Sequence, residues 1–127
     1  MFRAGKAVAL IDFDLASPGC SLWDIACAAR LWAPLRPDSY INDVRRDRVL
    51  DRFRLFVDSY GLVDADRLRV VDAVAQNHNW CYDNVRNSAA QGHLAFSEYW
   101  NAAATERAQR IYQWCLENRQ ALRAALV

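Results

Sequence analysis

Lysine is almost missing from this chain: among its 16 basic residues, Lys6 is the single lysine. The composition offers no excess of charge either. Fifteen acids stand against those sixteen bases, the net charge is +1, and no whole-molecule field draws the chain to nucleic acid or to an anionic membrane. No apolar run approaches the ~20 residues that a membrane-spanning helix needs. The N-terminus has no long apolar core with a cleavage site, so a secretory leader is not read. Cysteines are few and scattered: Cys20, Cys27, Cys81 and Cys115 form no Cys-x-x-Cys pair. His78 and His93 lie too far apart for a His-x3-5-His pair, so zinc-ligand spacing is excluded. The expectation is a cytoplasmic protein with buried free thiols and no disulfide framework.

What the chain does have is core-forming material. Hydrophobic residues make up 54% of its 127 residues, with five Trp, five Tyr and five Phe. One domain of this size buries about two-thirds of its unfolded surface. The expected architecture is mainly α (α+β): an N-terminal β-hairpin packed on a bundle of four or five helices. Residues 1–14 supply the hairpin and residues 21–127 the helical part. Met1–Ala4 and Ala7–Ile11 read as the two strands, with Gly5-Lys6 at the tip. Ser17-Pro18-Gly19 reads as a turn.

Helical periodicity then takes over. A first helix spans about Leu22–Trp32, with Ser21 as N-cap and Leu22, Ile25, Ala26 and Ala29 inward; Pro34 and Pro37 stop it. A second spans about Ile41–Tyr60, with Val44, Leu50, Phe53, Phe56, Val57 and Tyr60 on one face and Gly61 as its stop. A third, with Asp64 as N-cap, runs to about Ala90, burying Leu68, Val71, Val74, Ala75, Cys81, Tyr82 and Val85. The last stretch starts near Ser97-Glu98 and runs through Cys115, and Asn118 is the cap candidate for a short helix to Leu126.

The stretch with chemical content is Val8-Ala9-Leu10-Ile11-Asp12-Phe13-Asp14. Side chains alternate along a strand, so Asp12 and Asp14 share a face while Phe13 points to the core. Two hard carboxylates at a strand end suit Mg²⁺, which takes one or two such ligands plus waters and substrate phosphates. Asp12 and Asp14 are therefore the candidate metal ligands, and phosphoryl transfer is the chemistry they suit.

This segment, with Pro18-Gly19 and then Trp23-Asp24-Ile25-Ala26, resembles the aminoglycoside/choline-kinase-like phosphotransferases, a family with the protein-kinase-like fold. The match is specific over roughly Gly5–Ala29 and weaker over the helices that follow. The resemblance implies the lower C-lobe of that fold, with Asp12 holding Mg²⁺ beside ATP or GTP and a small hydroxyl compound as acceptor. It also implies parts that this sequence lacks. No Gly-rich loop covers the phosphates, no strand carries a suitable lysine, and the family's His-x-Asp-x4-Asn catalytic loop is absent. No catalytic base is assigned to any residue here. The chain is expected to be inactive alone, with Mg²⁺ and nucleotide unbound. Met1 is expected to lie at an internal position of a longer ancestral frame, or the chain to be a truncated remnant.

Other features have plainer readings. Asp24 sits in a first helical turn, where a carboxylate suits the positive end of the helix dipole. His78, Trp80 and Asp83 with Asn77 and Asn79 read as a satisfied helix surface, with an acceptor pocket as the alternative. The Arg45-Arg46-Asp47-Arg48 run is interleaved with Asp43 and Asp51 and reads as a solvated face. Two function classes follow: a phosphotransferase-derived fragment, or a non-catalytic helical binding or assembly module. Surfaces that missing parts would cover are left open, so a homodimer through the hairpin side is expected.

Overall fold

The computed structural model describes residues 2–9 and 19–127. Within them the chain builds six α-helices: α1 Ser21–Trp32, α2 Val49–Tyr60, α3 Asp64–Ala90, α4 Leu94–Ser97, α5 Ala102–Glu117 and α6 Arg119–Ala124. The long α3 is the common wall, against which α1, α4, α5 and α6 all pack, while α2 packs on α1 and α6.

The expected β-hairpin layered on a helix bundle is corrected. Among the described residues the fold is mainly helical, and no β layer covers it. Strand pairing among them is confined to Phe2–Arg3 (β1) against Lys6–Ala7 (β2) across an Ala4-Gly5 turn in which both residues have positive φ. The expected second strand is not built: Val8 and Ala9 lie outside any strand, and Val8 is 55% exposed. Leu10 and Ile11 lie outside the described residues. Two residues per strand make too short a ladder to hold a sheet, and a lone hairpin is marginal in water at any length.

The core lies between α1 and α3. Ile25, Ala26, Ala29 and Ala33 face Val70, Val71, Ala73 and Val74, all of them buried. Three alanines at helical spacing let the α1 backbone come close to α3, and valines fill what space remains. From the far side, Phe53 and Val57 of α2, Ile111 and Cys115 of α5, and Leu122 after α6 begins close the cluster. Burial holds the Cys115 thiol up at about 12, so it packs as a small hydrophobe.

Helix ends differ from expectation in instructive places. Ser21 is the first residue of α1 rather than its cap; Cys20 precedes it and makes no side-chain capping bond. Residue 41 does not start α2. Residues 38–40 form a short 3-10 turn, Asp43 grips Arg45 at 2.6 Å, and Asp47 turns left-handed at φ 60 before α2 opens at Val49. Val44, assigned to a buried face, is 90% exposed. Gly61 stops α2 as expected: at φ 75 its N–H donates to the Val57 and Asp58 carbonyls. After α3, the chain forms α4 and breaks before α5, which Asn101 caps by accepting from the Ala104 N–H at 2.9 Å.

Arginine's role in the fold is to reach across these joints. Arg45 Nη1 donates to the Leu31 carbonyl, and Arg52 donates through Nε and Nη2 to the Trp32 carbonyl, so both close the C-terminal end of α1. Arg67 donates to the Leu126 carbonyl at 3.0 Å and pairs with Asp58 at 2.6 Å. Arg119 and Arg123 share Asp72, tying α6 to α3. A planar guanidinium can serve two acceptors at once, which an ammonium on a flexible stem does less well.

Phe53 is fully buried at the meeting of α2 with the α1–α3 core. Phe53→Ala is expected to lower unfolding stability by about 3–5 kcal/mol in chemical denaturation. A loss under about 1 kcal/mol would place that ring outside the core.

Candidate functional site

Asp12 and Asp14, the expected metal ligands, lie outside the described residues. Asp24 is exposed in the first turn of α1, consistent with favourable placement near the helix dipole. Among the described residues, no group of three or more His, Cys, Asp or Glu side chains is arranged to hold a metal ion.

The polar centre of the described structure is on α3. Asn77 and His78 are its two buried polar residues, and His78 is 3% exposed. The expectation of a satisfied helix surface is therefore half right: His78 is satisfied, but it is inside. Its Nε2 lies 3.0 Å from the Ala108 carbonyl of α5. A carbonyl only accepts, so Nε2 carries the proton and donates. The opposite nitrogen, Nδ1, then accepts from Arg30 Nη1 of α1 at 3.4 Å. One imidazole thus joins three helices.

The same arrangement fixes its charge. Burial is the largest influence and lowers the His78 pKa to about 4; the Ala108 bond works against that shift, and the Arg30 charge adds to it. His78 is neutral at pH 7 and has both ring nitrogens occupied. It is a structural bond, not a general base.

Aromatic rings continue outward from it. Tyr82 lies 4.6 Å from the His78 ring, and Trp100, after α4, lies 5.9 Å from Tyr82. Burial raises the Tyr82 hydroxyl's pKa, with Tyr99 adding to the shift, while Arg30, Arg107 and Arg36 pull the other way. His78, Tyr82, Trp100, Thr105 and Tyr112 line a small cavity of about 90 Å³. That is well below the ~300 Å³ at which small-molecule pockets begin. Trp80, on another face of α3, packs edge-on against Trp23 of α1 at 5.8 Å.

Larger depressions lie elsewhere. One of about 520 Å³ lies between Pro37, Ser39 and the Glu106, Arg110, Trp114 and Glu117 side of α5. Another, about 340 Å³, is an apolar groove formed by Trp32, Arg52, Leu55, Phe56 and Ser59. The 45–48 run is mostly exposed, as expected, although Arg45 is half-buried against the end of α1. Sequence reasoning missed Arg30, which sits in the last turn of α1 and reaches the His78 ring. That partner lies 48 positions away, so no local pattern signals it.

No helix among the described residues is long and apolar enough to cross a membrane. No protein-family model matches this chain, and neither a curated protein nor a solved structure matches it.

The His78 geometry has a pH consequence. Unfolded, the imidazole takes a proton near pH 6.5; folded, it resists until about pH 4. Its contribution is therefore complete above pH 6.5 and is lost as pH falls toward 4. At roughly 1.4 kcal/mol per pKa unit, the loss across that window reaches about 3 kcal/mol. His78→Gln should remove this component, so the denaturation midpoints of wild type and variant should converge between pH 7 and pH 4.5. Parallel profiles would contradict a neutral, buried imidazole.

Proposed function

We propose that the chain is the C-terminal part of an aminoglycoside/choline-kinase-like small-molecule phosphotransferase. The observation that carries this reading is the acid pair in Ile11-Asp12-Phe13-Asp14, with Pro18-Gly19 and the Trp23-Asp24-Ile25-Ala26 opening of α1 at fixed distances after it. Two carboxylates one residue apart are a hard-oxygen donor set, which suits Mg²⁺ in ligand type and number. In this reading Asp12 would hold the ion beside the nucleotide phosphates, and Asp14 would be a second ligand. The ion, when bound, neutralises charge on the phosphates. The small hydroxyl acceptor belongs to the complete enzyme.

Two groups often used as base or nucleophile are committed to the fold: His78 is buried and neutral with both ring nitrogens bonded, and Cys115 is buried. A mechanism made of positioning and electrostatics has little left without a base and a phosphate cover. The chain alone is accordingly expected not to transfer phosphate. Mg²⁺ and nucleotide are expected to be absent from the chain at ordinary concentrations, but a weak, saturable affinity for Mg²⁺-nucleotide is expected to emerge in the millimolar range, and Asp12→Asn should abolish it. Calorimetry or NMR titration of the full chain with Mg²⁺ and ATP or GTP reads this directly. No binding at millimolar nucleotide would overturn the phosphotransferase reading.

The apolar groove at Trp32 and Leu55, both 64% exposed, favours a second reading, a non-catalytic binding or assembly module. Self-association through the N-terminal side, where Val8 is exposed, belongs with it. Light scattering at micromolar concentration is then expected to give a dimer, and a clean monomer contradicts it.

A further inference from the structure

Helix α2 turns Val49, Phe53 and Val57 into the core, which puts Leu55 on its opposite side, in water. Trp32 ends α1 beside it and is equally exposed. With Arg52, Phe56 and Ser59 these two residues form the groove of about 340 Å³. Tyr60, 57% exposed, extends the apolar face through a ring contact with Phe56 at 6.1 Å. Arg52 is the charged side chain of the lining, and it is spent on the Trp32 carbonyl. Scattered apolar residues on a surface need no explanation, but three aromatic rings and a leucine about one groove make a patch that does.

Two features fit this face to its own copy. First, it carries a projecting indole and, beside it, a groove of a size to accept a ring. About a two-fold axis each copy gives its Trp32 to the other's groove, so one surface serves both sides, as an isologous interface requires. A partner of other sequence would have to bring a ring and a recess of its own. Second, charge is graded along this part of the chain. Residues 48–54 hold three arginines and one aspartate, whereas residues 55–66 hold Asp58, Asp64 and Asp66 and no base. Arg48, Arg54, Asp58 and Asp64 are all exposed. Asp58 pairs with Arg67 at 2.6 Å, and Arg54 approaches it at 3.7 Å, a loose contact. Laid antiparallel, two copies of α2 set the basic half of each toward the acidic half of the other; laid parallel, they set like against like. Trp32 and Tyr60 together leave on the order of 250 Å² of ring surface in water. That is well under the ~800 Å² per partner of a tight complex, so a weak dimer follows.

We propose that the α1–α2 groove is the contact between two copies of this chain, with the two α2 helices antiparallel across a two-fold axis and the Trp32 ring of each copy seated against Leu55 and Phe56 of the other. The proposal rests on the assembly reading and names its surface. That surface is distinct from the N-terminal side at Val8, and it is independent of Asp12 and Asp14.

The test uses the full chain labelled with 5-fluorotryptophan. Sedimentation equilibrium from about 5 to 500 µM gives the oligomeric state. The Trp32 ¹⁹F signal, assigned by its loss in Trp32→Phe, is followed over the same range. The expected result is a monomer–dimer midpoint of about 10–100 µM, the affinity class of a small interface. The Trp32 signal is expected to move at that midpoint while that of Trp80, an exposed ring on α3, stays still. Leu55→Glu is expected to weaken dimerisation by about tenfold or more, with unchanged helical content because the side chain is exposed. A monomer throughout overturns the proposal. So does a Trp32 signal that does not move, the result expected of a groove filled by another part of the same chain. Wild-type affinity in Leu55→Glu also overturns it; if Val8→Asp then abolishes the dimer, the assembly reading survives on the N-terminal side alone. The fluorine signal is read in the chain without substitution and decides the matter even if Leu55→Glu fails to fold.

Discussion

The His78 imidazole is the interaction on which the arrangement of helices depends. It donates to the Ala108 carbonyl of α5 and accepts from Arg30 of α1, while its own backbone belongs to α3. Apolar packing can hold helices together, but it tolerates sliding and rotation. A buried ring with both nitrogens used has one position that satisfies it, and any slip leaves a polar atom unpartnered in a dry place. The alanine face of α1 and the valine face of α3 supply the attraction. His78 sets the register.

The same logic runs outward through the arginines. Guanidinium groups from α2 and the preceding loop close the carbonyl end of α1, Arg67 reaches the Leu126 carbonyl, and Asp72 joins α3 to α6 through two of them. These exposed pairs are individually weak, and their use is orientation more than stability. The pattern also makes the exceptions visible. Among the described residues Arg30 and Arg36 are half-buried with no carboxylate partner, and Arg30 is held instead by the His78 ring.

Much of the helical frame was legible in the sequence because local signals agreed. Pro34 sits just past the end of α1, Gly61 just past the end of α2, and apolar spacing marked the span of α3, although Leu68, expected inward, is exposed and Cys81, Tyr82 and Val85 are only half-buried. The misreadings have tertiary or short-range causes. Ile41–Arg48 has helical composition, but an Asp43–Arg45 grip and a left-handed Asp47 turn the backbone away. Val8 looked like a core strand because it is β-branched and starts an apolar run, yet the described pairing ends one residue earlier. Asn77 and His78 looked like surface because polar residues usually are. The partners that make their burial tolerable lie 30 and 48 positions away for His78, on other helices, and no local pattern carries that. The acid pair Asp12 and Asp14 was legible as a motif, and it lies outside the described residues.

The central claim is that a neutral His78, protonated at Nε2, locks α1, α3 and α5 together. A long-range ¹H–¹⁵N spectrum of the imidazole tests it most directly. The account predicts a pyrrole-like Nε2 and a pyridine-like Nδ1 that persist unchanged from pH 7 down to pH 5. An Nδ1–H tautomer, or a ring that titrates with the ordinary histidine midpoint, would contradict it.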